Sequence, residues 1–98
     1  MTRPVRFRAR AEAELLEACA WYDEQQPGLG DRFAAAVERT VDQIAETPDA
    51  YPLIDGESRH AMVRGYRYGV YFRASLREVT IIAIVHTSRD PRRWQSRG

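Results

Sequence analysis

The fold is decided by residues 68–86, which read YGVYFRASLREVTIIAIVH and contain two strand-like segments around a short turn. Residues 68–74 alternate, with Tyr68, Val70 and Phe72 on one face and the intervening side chains on the other. Residues 78–86 are apolar on both faces, which is typical of a central strand. The stretch therefore predicts an antiparallel pair of strands joined at residues 75–77.

Strict alternation assigns every side chain of the second segment to a face. It places Val79, Ile81, Ala83 and Val85 on one face and Thr80, Ile82, Ile84 and His86 on the other. His86 is then expected at the carboxyl end of the strand, on the face of Ile84.

Two helices are predicted upstream of these strands. Residues 11–26 and about 29–46 carry apolar side chains at helical spacing, and Pro27-Gly28 separates them. The inward stripes are expected to be Ala11, Leu15, Cys19 and Tyr22 in the first helix and Phe33, Val37, Val41 and Ile44 in the second. The second helix is expected to end at Thr47-Pro48, because the residue before a proline disfavours the helical region. The pair is predicted to form a helical hairpin.

Two further strands complete the predicted order. Residues 5–9 alternate apolar residues with Arg, and residues 60–66 follow an irregular loop at 48–58 that contains two Pro and a Gly. The chain is therefore predicted to be a single α+β domain spanning residues 1–98. Its order is β-α-α-β-β-β, with the helical hairpin packed on a mostly antiparallel four-stranded sheet.

Composition excludes several classes of protein. The longest apolar run, residues 79–85, is too short to span a membrane, and no apolar leader segment opens the chain, so a soluble cytoplasmic protein is expected. One cysteine, Cys19, excludes a disulfide framework. His60 and His86 are the only imidazoles, and neither has metal-ligand spacing, so we expect no metal and no cofactor.

Charge is segregated along the chain although the net charge is only +1. Residues 1–11 carry four Arg and no acid, residues 12–58 carry twelve acids and two Arg, and residues 59–98 carry nine Arg and two acids. Two interpretations remain open. The segregation indicates either a basic face for a polyanion or acidic partner, or helices and strands whose charges offset each other.

The basic second half contains the candidate catalytic residues. RNA cleavage through the 2′-OH needs an acid, a base and positive charge, and His86 with Arg64 and Arg73 would supply these if they met in one cleft. The alternative is that His86 simply packs against the core or contacts a partner. Arg73 either reaches the exposed sheet face or pairs with a helix Glu.

The C-terminal segment contains the candidate binding residues. Arg89, Arg92 and Arg93 surround Trp94, and guanidinium and indole groups together suit a partner peptide or stacked bases. A solvated tail with Trp94 docked on the core is the alternative.

Seven segments in this order resemble the RelE/ParE superfamily of type II toxin–antitoxin toxins, often called plasmid stabilisation proteins. They are residues 13–18 (AELLEA), 21–22 (WY), 27–33 (PGLGDRF), 44–52 (IAETPDAYP), 59–63 (RHAMV), 68–73 (YGVYFR) and 82–94 (IAIVHTSRDPRRW). The resemblance covers nearly the whole chain. It implies the same β-α-α-β-β-β fold, a cognate antitoxin as partner in a hetero-oligomer, and growth inhibition by the free toxin.

The resemblance implies one of two activities. RelE-like members are ribosome-dependent mRNA endonucleases (mRNA interferases), whereas ParE-like members bind and poison DNA gyrase without hydrolysis. Arg64, Arg73 and His86 lie where the nuclease branch carries functional residues, but the chain has no Lys, and Thr87 follows His86 where nucleases often have Tyr. Asp55 and Glu57 are loosely placed substitutes for an acid or base.

We therefore expect a ParE-like toxin that inhibits gyrase by binding, with target contacts in Arg89, Arg92, Arg93 and Trp94. A ribosome-dependent RNase using His86, Arg64 and Arg73 is the second hypothesis. A non-toxic, antitoxin-binding family member is the third.

Overall fold

The structure, a computed structural model, describes residues 2–88. In chain order the elements are β1 (Val5–Phe7), α1 (Ala9–Gln25), α2 (Leu29–Glu46), a 3₁₀ helix (Pro48–Ala50), β2 (Ser58–Met62), β3 (Tyr68–Ala74) and β4 (Val79–His86). The predicted α+β class and β-α-α-β-β-β order are confirmed. No helix among these residues combines the length and the apolar character needed to cross a membrane.

The sheet has the order β1-β4-β3-β2, so β4 is a central strand as predicted. β2 and β3 pair antiparallel, β3 and β4 pair antiparallel, and β1 pairs parallel with β4. β1 is short and covers β4 only from Val79 to Ile81. Beyond Ile81, this side of β4 has no strand neighbour among the described residues, and α1 lies beside it.

The helical hairpin packs on one face of the sheet and encloses the main core. The α2 stripe of Phe33, Val37, Val41 and Ile44 is fully buried, as predicted. In α1, Ala11 and Ala18 are buried, whereas Leu15, Cys19 and Tyr22 pack at the edge of the core. α1 begins two residues earlier than predicted, because β1 ends at Phe7 and Arg8 turns the chain as the residue before the helix.

A β-bulge corrects the predicted faces of β4. Tyr71 pairs with Ala83, but the next residue of β3, Phe72, pairs with Ile81, so Ile82 is an extra residue in β4. As a result Val79, Ile81 and Ile84 face the helices, whereas Ile82, Ala83 and Val85 form a small cluster with Tyr71 on the opposite face. Strict alternation beyond Ile81 was therefore wrong, although His86 does lie on the face of Ile84, against Tyr68.

The strand predicted at residues 60–66 is displaced towards the N-terminus. β2 starts at Ser58 and ends at Met62, and the chain turns at residues 63–67. The backbone N–H of Tyr66 donates to Val63 O, and Gly65 has φ of 87°, a conformation that residues with a Cβ rarely adopt. This turn places Arg64 at the exposed end of the hairpin.

Part of the segregated charge is offset by ion pairs at the surface of the fold. Asp49 Oδ2 lies 3.2 Å from Arg3, and Asp49 Oδ1 lies 3.9 Å from Arg59. These pairs join both basic segments to the acidic one. The carboxylates Glu38 and Asp42, on the outer side of α2, remain exposed.

Candidate functional site

A cleft of about 630 Å³ lies between α1 and the carboxyl end of β4. It is lined by Glu14, Glu17, Ala18, Trp21, Tyr22, Arg67, Tyr68, Ile84, Val85, His86 and Ser88. One wall is α1, and the other is the end of β4 with the start of β3. The cleft contains aromatic rings and charges of both signs, which is the composition of a binding site.

His86 ends β4 and forms part of the strand wall. Its ring meets Tyr68 edge to face, with the centroids 5.4 Å apart. The backbone N–H of Ser88 donates to His86 Nδ1 over 3.1 Å, and Ser88 Oγ lies 2.8 Å from the same nitrogen. Because Nδ1 accepts, the neutral ring carries its proton on Nε2. In this arrangement the Nε2–H of His86 can donate a hydrogen bond.

An aromatic cluster supports the inner end of the cleft. The Tyr22 ring lies 4.9 Å from Phe33, 5.4 Å from Tyr66 and 6.1 Å from Tyr68, measured between centroids. Burial, with smaller contributions from Tyr68 and Tyr66, raises the pKa of the Tyr22 hydroxyl. Tyr22 therefore stays a neutral hydroxyl at physiological pH, and the cluster fixes the position of α1 against the strands.

Glu14 closes the gap that the short β1 leaves on β4. The backbone N–H of Ile84 donates to Glu14 Oε1 over 3.1 Å, so a side chain of α1 takes the place of a strand neighbour. Glu14 is half-buried, and its carboxylate forms part of the cleft wall.

Arg73 does not line the cleft that contains His86. It is five positions along β3 from Tyr68, about 17 Å at the usual rise of a strand, and it faces away from the helices with Tyr71. Its Nε lies 3.7 Å from Glu57 Oε2. A separate cleft of about 460 Å³ borders it, lined by Leu53, Gly56, Glu57, Arg59, Arg73, Ala74, Ser75, Glu78 and Thr80.

The structure therefore brings together only part of the candidate catalytic set. Arg64 and His86 lie at the same end of the sheet, since Arg64 is in the β2–β3 turn and Tyr68 pairs with His86. Arg73 lies at the other end of β3, on the opposite face from His86. These geometries do not test which residues act, and the roles of His86, Arg64 and Arg73 stay predictions.

The remaining candidates are the C-terminal binding residues, a metal site and the thiol of Cys19. Arg89, Arg92, Arg93 and Trp94 lie outside the described residues, so their role in binding also stays a prediction. Among residues 2–88 no group of three or more His, Cys, Asp or Glu side chains could hold a metal ion. Cys19 is half-buried, and burial together with Asp23 and Asp31 raises the pKa of its thiol, which makes it a poor nucleophile.

Sequence reasoning did not identify the α1 wall of the cleft. Glu14, Glu17 and Trp21 are spaced i, i+3 and i+7, so they share one face of the helix. That spacing was visible in the sequence. The sequence did not show that this helix face borders a cleft, because the open side of β4 depends on where β1 ends.

Comparison with known proteins connects this geometry to a family. The family model described as the ParE toxin of the type II toxin–antitoxin system parDE matches residues 5–91. Toxin ParE2 of Mycobacterium tuberculosis, in strains CDC 1551 / Oshkosh and ATCC 25618 / H37Rv, is 29% identical over 92 residues, which cover 93% of this chain and 88% of the relative.

A solved structure has the same fold. A chain described as the chromosomal ParDE TA system from P. aeruginosa superposes with a TM-score of 0.77 at 15% identity, covering 87% of this chain and 96% of that chain. At this identity the likeness concerns the fold.

Proposed function

The chain belongs to the ParE family of type II toxin–antitoxin toxins, and from this premise we propose that it stops growth by binding a bacterial target without cleaving it. The target in this proposal is DNA gyrase in the cytoplasm. The cognate antitoxin neutralises the toxin by forming a hetero-oligomer with it.

The observation that carries the proposal is the hydrogen bonding of His86 and its position relative to Arg73. A nuclease of this kind would need His86 as proton acceptor or donor beside positive charge at the phosphate. In the described chain, Nδ1 of His86 is taken up by Ser88, and Arg73 is on the other face of the sheet. Among residues 2–88, His86 and Arg73 are therefore not brought together in one acid–base site, which favours a toxin that binds.

One arrangement supports the second candidate, a ribosome-dependent mRNA endonuclease. Arg67 lines the same cleft as His86. Arg64 and Arg67 both lie in the turn between β2 and β3. Two guanidinium groups near an imidazole could hold and cleave an RNA phosphate if the ribosome completed the site. The two candidates differ in how much they depend on His86.

Purified protein separates the two candidates directly. The unaltered chain and the His86→Ala variant are added to a gyrase supercoiling assay and, separately, to translating ribosomes programmed with mRNA. We expect inhibition of supercoiling by both proteins, with potencies within about two-fold, because a residue outside the interface contributes little to binding. Addition of the antitoxin should restore supercoiling.

The RNase hypothesis gives the opposite pattern. Ribosome-bound mRNA would be cut, and His86→Ala would slow cleavage by about 10²-fold or more, the usual contribution of a general acid or base. Activity in neither assay would indicate a family member that only binds its antitoxin.

A further inference from the structure

The turn between β2 and β3, residues 63–67, presents two arginines on a rigid support. Arg64 and Arg67 are exposed on this turn. The Tyr66 ring, which lies between them in sequence, packs on Phe33 with the centroids 5.1 Å apart, so the turn is anchored in the core. Because the turn is held from the inside, a partner that binds the two guanidinium groups does not have to order the backbone that carries them.

Charge pairing distinguishes these two arginines from others on or beside the sheet. Ion pairs with carboxylates, at N–O distances of 3.2 to 3.9 Å, involve Arg3, Arg6, Arg59 and Arg73. In contrast, neither Arg64 nor Arg67 forms an ion pair with any residue of the described part of the chain. Their positive charge is therefore available to a partner.

The turn lies beside the end of β4, where further basic residues follow. The backbone N–H of Thr87 donates to Arg67 O over 2.8 Å. Residues 87–98 continue the chain from this point and carry four Arg and one acid in sequence. The nearby carboxylates belong to α1, where Glu14 and Glu17 line the opposite wall of the α1–β4 cleft. The strand side of this end of the molecule is therefore basic.

Two unpaired guanidinium groups on a rigid turn suit a polyanion. A guanidinium donates two parallel hydrogen bonds to phosphate oxygens, which makes arginine a preferred phosphate ligand. DNA presents phosphates at regular intervals, so neighbouring arginines can each bind one. Contacts of this kind position a protein on the duplex without reading its sequence.

We propose that Arg64 and Arg67 bind backbone phosphates of the DNA duplex that gyrase holds, so that the β2–β3 turn is a DNA contact of the toxin. The proposal rests on the proposed binding to gyrase and adds a nucleic-acid contact to the protein interface. With this contact, the toxin binds gyrase more tightly when DNA is present. The extra affinity decreases with salt, because each phosphate contact releases condensed counterions.

The test compares binding of the toxin to purified gyrase with and without a bound DNA duplex, by fluorescence anisotropy of toxin labelled at its N-terminus. Binding is measured at several salt concentrations. The variants are the Arg64→Gln/Arg67→Gln double variant and the Arg64→Lys/Arg67→Lys double variant. Arg77→Gln is the matched control, since Arg77 is exposed in the β3–β4 turn at the other end of β3.

We expect the unaltered toxin to bind gyrase with DNA at least about ten-fold more tightly than gyrase alone, and the double Gln variant to lose most of this difference. The slope of log affinity against log salt should decrease in magnitude by about 2 in the double Gln variant, since each phosphate contact contributes about 0.9. The double Lys variant keeps both charges and should retain this slope, and Arg77→Gln should behave as the unaltered toxin.

Binding to gyrase without DNA provides the internal control. All variants should bind it within about two-fold of the unaltered toxin, because residues outside the protein interface contribute little to that affinity. Circular dichroism and urea unfolding verify that each variant keeps its fold.

Four results would overturn the proposal. Equal affinity of the unaltered toxin for gyrase with and without DNA would exclude the DNA contact and leave gyrase binding intact. Unchanged binding of the folded double Gln variant to gyrase with DNA would place the DNA contact elsewhere. An equal loss without DNA would assign the turn to the protein surface of gyrase. A loss seen only with ribosomes programmed with mRNA would make the turn an RNA contact. Failure of the unaltered toxin to bind gyrase in either form would contradict the proposed function and this proposal with it.

Discussion

Gly30 is the residue on which the close packing of the helical hairpin depends. A Cβ at this position would lie 2.4 Å from Cys19 O and 2.6 Å from Asp23 Oδ2. The Gly30 N–H donates to Asp23 Oδ1 over 2.8 Å, which joins the end of α1 to the start of α2. The sequence predicted a tight connection at Pro27-Gly28, but it did not indicate that Gly30 lies directly against α1.

Substitution of this glycine should therefore be costly. Gly30→Ala places a methyl group against backbone and should lower the free energy of unfolding by about 2 kcal/mol, as overpacking in a core does. Gly56→Ala is the matched control, since nothing lies within 4 Å of its Cβ position, and should change it by less than about 0.5 kcal/mol. Urea unfolding measures both, and equal stabilities would contradict the close approach.

At the scale of elements, β4 shows where sequence reasoning succeeds and where it fails. Its central position followed from apolar residues on both faces, and the structure confirms it. The bulge at Ile82 did not follow, because an extra residue in an apolar run leaves no compositional signal. The pairing of β4 with β3 determines where the bulge lies, and this pairing depends on both strands together.

Glu14 gives a prediction at this scale. Glu14→Ala leaves the Ile84 N–H without its acceptor and should reduce stability by about 1–2 kcal/mol, whereas Glu14→Gln keeps an oxygen there and should cost much less. Urea unfolding and the hydrogen-exchange rate of the Ile84 amide measure the effect. Glu17→Ala, exposed on the same helix face, is the control. Unchanged exchange in Glu14→Ala would show that another group satisfies this amide.

The turn before β2 gives a prediction about pH. Backbone N–H groups of Glu57 (2.9 Å) and Ser58 (2.7 Å) donate to Asp55 Oδ1 and lower the pKa of this carboxyl below its ordinary 3.8. Because the folded pKa is the lower one, the stabilisation is present above pH 3.8 and is lost as the pH falls through the folded pKa.

A carbon-detected NMR titration of Asp55 checks this prediction, and a pKa at or above 3.8 would contradict it. In urea unfolding at several pH values, Asp55→Asn should be less stable than the unaltered chain near neutral pH. The difference should shrink as the medium becomes more acidic.

At the scale of the whole molecule, the sequence predicted the topology but not the assembly of a site. The order of elements and the buried α2 stripe followed from local periodicity. The separation of Arg73 from His86 did not, because it depends on strand direction and on which face each side chain takes across the sheet. The α1–β4 cleft likewise depends on the short pairing of β1, a long-range property.

The most direct test of the central claim is a pulse-labelling time course in bacteria that express this chain without its antitoxin. Thymidine and amino-acid incorporation are followed through the first minutes after induction, with co-expressed antitoxin as the control. A gyrase-binding toxin predicts that thymidine incorporation falls first while translation continues, and that the antitoxin prevents the fall. A fall in amino-acid incorporation before thymidine incorporation would contradict the account and make His86, Arg64 and Arg73 the residues to change next.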